Sequence, residues 1–379
     1  RITPPRIFLE QRMKMTPKSE QDLSECVAAA KGPLAIQGGG TRGVSVAGDL
    51  LNTSGISGIN LYEPGALTVV VKAGTAVSEI EAALASERQR LAFEPMDYRG
   101  LMGVKGEPTI GGVVAGNISG PRRIQVGAAR DFTLGVRFVD GQGTVMKNGG
   151  RVMKNVTGYD LVKLMSGSWG TLGVLSEVSL KVLPMPEADA TLQVHGLNMN
   201  DAVAAMADAL GSPYDVSGAA HLPNDDGGVT MIRVEGFEKS VAYRIAQLRE
   251  VLGKFGGEMT QAKHSVTDWA AVRDVQNFHN KDGDVWRVSV KPSDGPSVVA
   301  VCAPLEAQFD WAGGLVWLRT KQGADVRDKL AGIAGHATLV RGSGQPRFHP
   351  ENKGVAALSD GLRQRFDPRG ILNAGLMSA

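Results

Sequence analysis

Cysteine is nearly absent, with only Cys26 and Cys302 in 379 residues. The two lie far apart in apolar contexts, and no C-x-x-C exists to hold a zinc ion or an iron–sulfur cluster. A reduced, cytosolic protein with two buried thiols is the expectation. The formal net charge is only +2 and no dense Lys/Arg face occurs, so nucleic-acid binding has no electrostatic support. No apolar run reaches the roughly 20 residues that cross a bilayer. The opening RITPPRIFLEQRMK also lacks the apolar centre of a secretion signal. Residues 1–14 are therefore expected to be a leader outside the fold, with Met15-Thr16-Pro17 as a natural start.

Glycine, by contrast, is abundant at 49 residues. The most informative stretch is PLAIQGGGTRGVSVAG, residues 33–48. A short apolar run, 34–36, reads as a strand and enters Gly38, Gly39, Gly40, Thr41, Arg42 and Gly43. Successive residues without a Cβ let main-chain N–H groups point one way and cradle an anion such as a diphosphate. A glycine-rich hairpin turn is the alternative. Gly38, Gly40 and Gly43 formally match G-x-G-x-x-G, but a Rossmann loop opens directly into a helix. Here β-branched residues and Gly48 follow, so that reading is rejected. No Gly-Lys-Ser/Thr closes a Walker loop.

Two further stretches are built alike. In 107–130, Thr109, Gly111, Gly112, Asn117, Ser119 and Gly120 combine small residues with hydroxyl and amide groups able to bond a ribityl chain or a diphosphate. Ile110, Val113 and Val114 are too apolar for a solvated linker. In 154–183, Thr157 or Gly158 is expected to open a short helix, followed by a glycine turn at 170–174 and a strand at 178–182. Elsewhere, Pro17, Thr75 and Asn200 read as helix starts, and 67–73, 229–234, 285–290, 298–301, 315–318 and 337–340 as strands. The segments 132–139 and 143–146 read as a hairpin turned at Asp140-Gly141. Helices are expected at 240–255 and 325–333. Pro184 and Pro186 mark the main boundary. The expected division is a leader at 1–14, a cofactor domain of two α+β subdomains at 15–184, an α+β cap with an antiparallel sheet at 185–354, and a helix and tail at 355–379.

The three glycine clusters in this order, with the tail FDPRGILNAG at 366–375, resemble the vanillyl-alcohol-oxidase or p-cresol-methylhydroxylase-type FAD-binding family. The resemblance covers roughly 33–183 and the tail. It implies an α+β fold of two FAD-binding subdomains plus a cap, and an FAD-dependent oxidoreductase, a flavoprotein acting on CH–OH groups. It assigns the FAD diphosphate to the loop 38–43. It assigns diphosphate, ribityl and flavin contacts to Pro108, Thr109, Gly111, Gly112, Asn117, Ser119 and Gly120, and adenine and ribose contacts to Gly173 and Val174. Asn373 belongs to the tail motif, which departs from the usual N-P-G. Family members with covalent flavin carry His in the first loop; Thr41-Arg42 here implies non-covalent FAD. Lys154-Asn155-Val156-Thr157-Gly158-Tyr159-Asp160-Leu161 and 309–318 (FDWAGGLVWL) are similar to the FAD-binding subunits of bacterial glycolate oxidase. That likeness implies a hetero-oligomer with a catalytic FAD subunit and an iron–sulfur subunit. It also implies glycolate as the small 2-hydroxy acid, and a cytoplasmic place peripheral to the inner membrane through partners.

The catalytic 2-hydroxy-acid dehydrogenases of the family carry H-x-G-D-G-N in the cap. This chain has none, since His336 leads into Ala-Thr-Leu-Val, and Trp169 stands where a Glu is usual. Catalysis needs a base and a cation for the substrate carboxylate. No base is evident, and the catalytic residues stay unassigned. His336 and His349 are candidates by their nearness to the tail, although a structural His is the commoner case. Arg319 and Arg341 could hold a carboxylate, although exposed arginines at strand ends are common. Three readings stay open: a FAD-binding subunit beside a catalytic sister chain, a self-sufficient hydroxy-acid or alcohol dehydrogenase, and a scaffold that has lost FAD. Gly39→Val is expected to place a side chain where the diphosphate approaches.

Overall fold

A computed structural model describes residues 12–151, 158–224 and 227–377. The chain first builds a small parallel sheet of Lys14–Met15, Asp49–Asn52 and Leu34–Gln37. Met13 and Lys14, inside the segment set apart as a leader, already take part. The Met13 amide donates to Asp49 Oδ1, and Lys14 pairs with Leu50. The helix Glu20–Ala29 seals this sheet with fully buried Leu23 and Val27. It is capped by a Ser19/Asp22 box rather than by Thr16-Pro17, because Ser19 Oγ and the Asp22 carboxylate satisfy each other's main-chain amides.

An antiparallel five-stranded sheet follows in the order Ile59–Glu63, Thr68–Lys72, Val174–Lys181, Thr133–Val139, Val145–Gly149. Its hairpin turns where expected, since Asp140 Oδ1 accepts the amides of Gln142 and Thr144. The helix Val77–Ser86 buries Val77, Ile80 and Leu84 against this sheet, but its cap position is Ala76. Thr75 is used otherwise, bonding the carbonyls of Lys72 and Gly58. Ile110–Ala115 is a short buried helix capped by Thr109. The helix expected from 157 or 158 begins at Leu161 with Asp160 as cap; residues 152–157, and with them part of the glycolate-oxidase-like segment, lie outside the described residues.

Beyond Pro186 the chain forms an eight-stranded antiparallel sheet. Its order is Met259–Gln261, Ala188–His195, Val229–Gly236, Val216–Leu222, Glu306–Asp310, Leu315–Thr320, Asp284–Val290, Gly335–Arg341. Side chains alternate across its faces, as strand geometry requires. Trp286, Val288, Val316, Leu318 and Leu339 pack under the helices Met199–Gly211, Glu238–Leu252 and Gly295–Cys302. Val285, Leu315, Trp317 and Val340 point the other way and share one core with Phe93, Ile110 and Val113 of the first domain. Two expectations fail here. Residues 298–301 are helical, because Pro296 opens a turn after Asp294. Asn198, whose side chain accepts the amides of Asn200 and Asp201, caps the helix assigned to Asn200. Cys26 is half-buried, not fully; both thiols are free.

The C-terminal helix Lys353–Phe366 returns the tail to the start of the chain. Leu372 bridges Leu34, and Asn373 clamps two segments: its Oδ1 accepts the Ile36 amide at 2.8 Å and its Nδ2 donates to the Trp169 carbonyl at 2.8 Å.

Candidate functional site

Two connected hollows meet at Trp169. The first is a groove holding about 750 Å³ of empty space, part of it open to solvent. Gly38, Gly39, Gly40, Thr41, Arg42, Thr109, Gly111, Gly112, Gly173, Val174 and Asn373 line it, with Gln37, Thr53, Ala73 and Trp169, none of which the sequence marked as a cofactor contact. The glycine spacing has a local cause. A Cβ on Gly39 would stand 1.6 Å from the Glu107 carbonyl oxygen, and one on Gly106 would stand 1.9 Å from the Gly39 carbonyl oxygen. The two loops interlock main chain to main chain. A side chain at Gly39 therefore strikes protein and not a ligand, which corrects the expectation for Gly39→Val.

What faces the groove is short of partners. The amides of Gly38, Gly39, Gly40 and Thr41 donate to no other described residue. Arg42 Nε and Nη2 are shut off from solvent and unbonded. Burial pushes this guanidinium below its usual value, opposed only by Tyr98 and Asp97. Buried donors are normally satisfied. Four free amides and a bare guanidinium on one wall fit a diphosphate, so the residues present suit FAD.

The remaining expected residues lie elsewhere. Pro108 lines a separate cleft, and its carbonyl accepts the Val77 amide. Gly43 opens on a surface cleft, where its carbonyl accepts from Arg347 at 2.9 Å. Asn117, Ser119 and Gly120 line the second hollow, and their polar atoms are partly committed. Asn117 Oδ1 accepts the Arg130 amide, Ser119 Oγ accepts the Ala129 amide, and the Gly120 carbonyl accepts from Trp311 Nε1.

The second hollow is a chamber of about 1980 Å³, also open to solvent, between the first domain and the inner face of the cap sheet. His336 and His349 both line it. His349 Nδ1 accepts the Ala337 amide, and burial lowers the affinity of both rings for a proton. Arg319 and Arg341 do not reach it. Arg319 is tied to Glu306 at 2.6 Å, and Arg341 donates to the carbonyls of Leu101, Phe278 and Lys281. Sequence reasoning missed Asp310, Arg123 and Arg287, all on the chamber wall. Period two along 285–289 places Arg287 and Ser289 on one face with Val285, the only signal available. Asp310 is 3% exposed, and burial pushes it up to about 7 even though its Oδ1 accepts the Trp311 amide at 2.7 Å.

A paired charge network joins the domains behind the chamber. Arg233 holds Glu94 with two bonds of 3.0 Å, and Arg122 reaches Glu94 at 3.2 Å and Glu235 at 2.5 Å. Arg90 adds a third cation on Glu235 at 2.8 Å. Burial alone would raise Glu235, but Arg233, Arg122 and Arg90 overcome it and hold the carboxyl at about 2.

Residues 12–149 match the family described as FAD binding domain. With this groove and cap, the chain is an FAD-linked oxidoreductase of the p-cresol-methylhydroxylase-type α+β fold. It is 37% identical over 354 residues to the glycolate oxidase subunit GlcE of Escherichia coli (strain K12), covering 92% of this chain and 93% of that one. The chain belongs to the family of that glycolate oxidase subunit. The glycolate oxidase subunit GlcD of Bacillus subtilis (strain 168) is 37% identical over 102 residues, 27% of this chain and 22% of that one. The solved alkyldihydroxyacetonephosphate synthase shares the fold, with a TM-score of 0.70, 17% identity, and coverage of 95% of this chain and 76% of that chain.

Proposed function

We propose that this chain is the FAD-binding subunit of a multi-subunit glycolate oxidase, which converts glycolate to glyoxylate beside a catalytic sister subunit and an iron–sulfur subunit. Its place is cytoplasmic, held to the inner membrane only through those partners. The observation that carries the reading is the groove wall of unpartnered amides and unpartnered Arg42, in a chain related end to end to GlcE. Arg42 and the amides of 38–41 hold the diphosphate. Gly173 and Val174 flank the adenosine end, and Asn117, Ser119 and Gly120 border the flavin end. Asn373 keeps the walls in register. The first loop carries Thr41-Arg42 where relatives with covalent flavin carry His, which supports non-covalent FAD. When bound, FAD accepts the hydride equivalent removed from the hydroxyl-bearing carbon.

A self-sufficient hydroxy-acid dehydrogenase is the second reading, favoured by Asp310. A carboxyl poised near neutral pH on the chamber wall can take a hydroxyl proton. Visible absorption of the purified chain decides between them. The expected protein is yellow, and glycolate bleaches it only after the sister subunit is added. Bleaching by glycolate with no partner moves the assignment to the second reading. A colourless protein that takes up no added FAD overturns both.

A further inference from the structure

Arg123 and Arg287 both lie over the indole of Trp311, with guanidinium carbons 4.4 and 5.0 Å from the ring centroid. Both line the chamber, one from the first domain and one from the cap sheet. Stacking on an aromatic face orients a guanidinium but leaves its in-plane N–H donors free. Neither side chain makes an ion pair or hydrogen bond with any described residue. The buried arginines Arg122 and Arg233 show what is missing, since each has carboxylate partners. The nearby acid, Asp310, forms no ion pair with either one. Two cations of the same sign thus converge on one wall from two domains, held in place by an indole and lacking an anion. Such an arrangement costs stability unless something outside the chain completes it.

We propose that the chamber is a carboxylate-binding site in which Arg123 and Arg287, stacked on Trp311, jointly hold a small 2-hydroxy or 2-oxo acid. The choice of acid rests on the glycolate-oxidase reading; the cation pair does not. The forked, planar donors of arginine match the two oxygens of a carboxylate. Drawing one arginine from each domain makes the site complete only when cap and first domain are closed on each other. A substrate-type acid is then held on this subunit, although the histidine motif of the catalytic relatives is absent from it.

Calorimetric titration of the FAD-treated full chain with oxalate, a redox-inert two-carbon acid, tests this. Wild type is expected to bind oxalate, with Arg287→Gln and Arg123→Gln each weakening it at least tenfold. Lys321→Gln, a charge change outside the chamber, should leave it within twofold. Flavin absorbance, read in the same samples, should not change in either arginine variant. Absence of oxalate binding in wild type, or affinities within twofold in both Gln variants, overturns the site. If a Gln variant does not fold, Arg→Lys at that position keeps the charge but not the fork. A loss of threefold or more supports the proposal, and a smaller one overturns it. A chain that takes up no FAD yet binds oxalate through both arginines keeps this inference and sinks the flavin reading. A yellow chain blind to oxalate does the reverse.

Discussion

Arg42 and Arg122 are two shielded guanidiniums with opposite surroundings. Arg122, at the joint between the domains, meets Glu94 and Glu235. Arg42, in the groove, has two nitrogens with no partner at all. The buried carboxyls divide the same way: Glu235 at the joint is held at about 2, whereas Asp310 on the chamber wall is pushed up to about 7. The joint is electrostatically closed and the ligand hollows are left open. In the first region charge neutralises charge within the chain, and in the second the chain supplies half of each interaction.

The largest break in this contrast comes at the groove's own scaffold. Gly39→Ala sets a Cβ 1.6 Å from the Glu107 carbonyl oxygen, so the two interlocked loops must separate. FAD uptake, read as flavin absorbance per mole of protein, should be abolished. Occupancy above half of wild type would show that the loops give way cheaply and that the groove is not rigid.

Next in size is the joint. Arg122→Gln leaves Glu94 short of one cation and Glu235 short of its nearest one, both largely shielded from solvent. Glu94 keeps Arg233 and Glu235 keeps Arg90, so the cost should stay below about 3–5 kcal/mol, the figure for a buried charge left with no partner. Denaturant unfolding should show that loss, and flavin occupancy under native conditions should persist. Arg42→Gln is expected to act in the opposite sense. It relieves an unpaired buried charge, so the FAD-free protein should unfold no more readily than wild type. FAD affinity should nevertheless fall at least tenfold, as expected when a charge-assisted contact of about 1.5–3 kcal/mol is lost. A destabilised Arg42→Gln protein with normal FAD affinity would erase the distinction between the two regions.

These differences explain what could be read from sequence. The groove was legible because close main-chain approach demands glycine, and glycine leaves its mark in consecutive positions such as 38–40 and 111–112. Asn373 was reached through its tail motif. The chamber was legible only in part: Asn117, Ser119, Gly120, His336 and His349 were named, but Arg123, Arg287 and Asp310 arrive one per strand or loop from both domains and share no local pattern. Arg319 and Arg341 looked equally available, and only tertiary structure shows them spent on Glu306 and on main-chain carbonyls. Helix caps were misplaced by one to three residues: Ser19 and Asn198 offer the same capping chemistry as Thr16 and Asn200, and Thr75 is spent on the carbonyls of Lys72 and Gly58 beside an Ala76 with no capping side chain. The 298–301 run failed because an apolar β-branched stretch fits a buried helix as well as a strand.

The smallest effect concerns Asp310, and its sign follows from linkage. Its carboxyl titrates at about 7 in the folded chain, mainly from burial, and near the ordinary value of 3.8 when unfolded. Between those values the folded state binds the extra proton. That contribution to stability is full below the unfolded value and is lost as pH rises through about 7. Glu94, Arg233 and Arg287 face this carboxyl, and on the same chamber wall burial lowers the proton affinity of His336 and His349. From pH 6 to pH 8 the folded chain should therefore lose about 1 kcal/mol from this group. Asp310→Asn keeps the oxygen that accepts the Trp311 amide and removes the titration. Its unfolding midpoint should be flatter than wild type across that interval. Parallel curves would place the Asp310 proton equilibrium outside it and remove Asp310 as a group able to exchange a proton near neutrality.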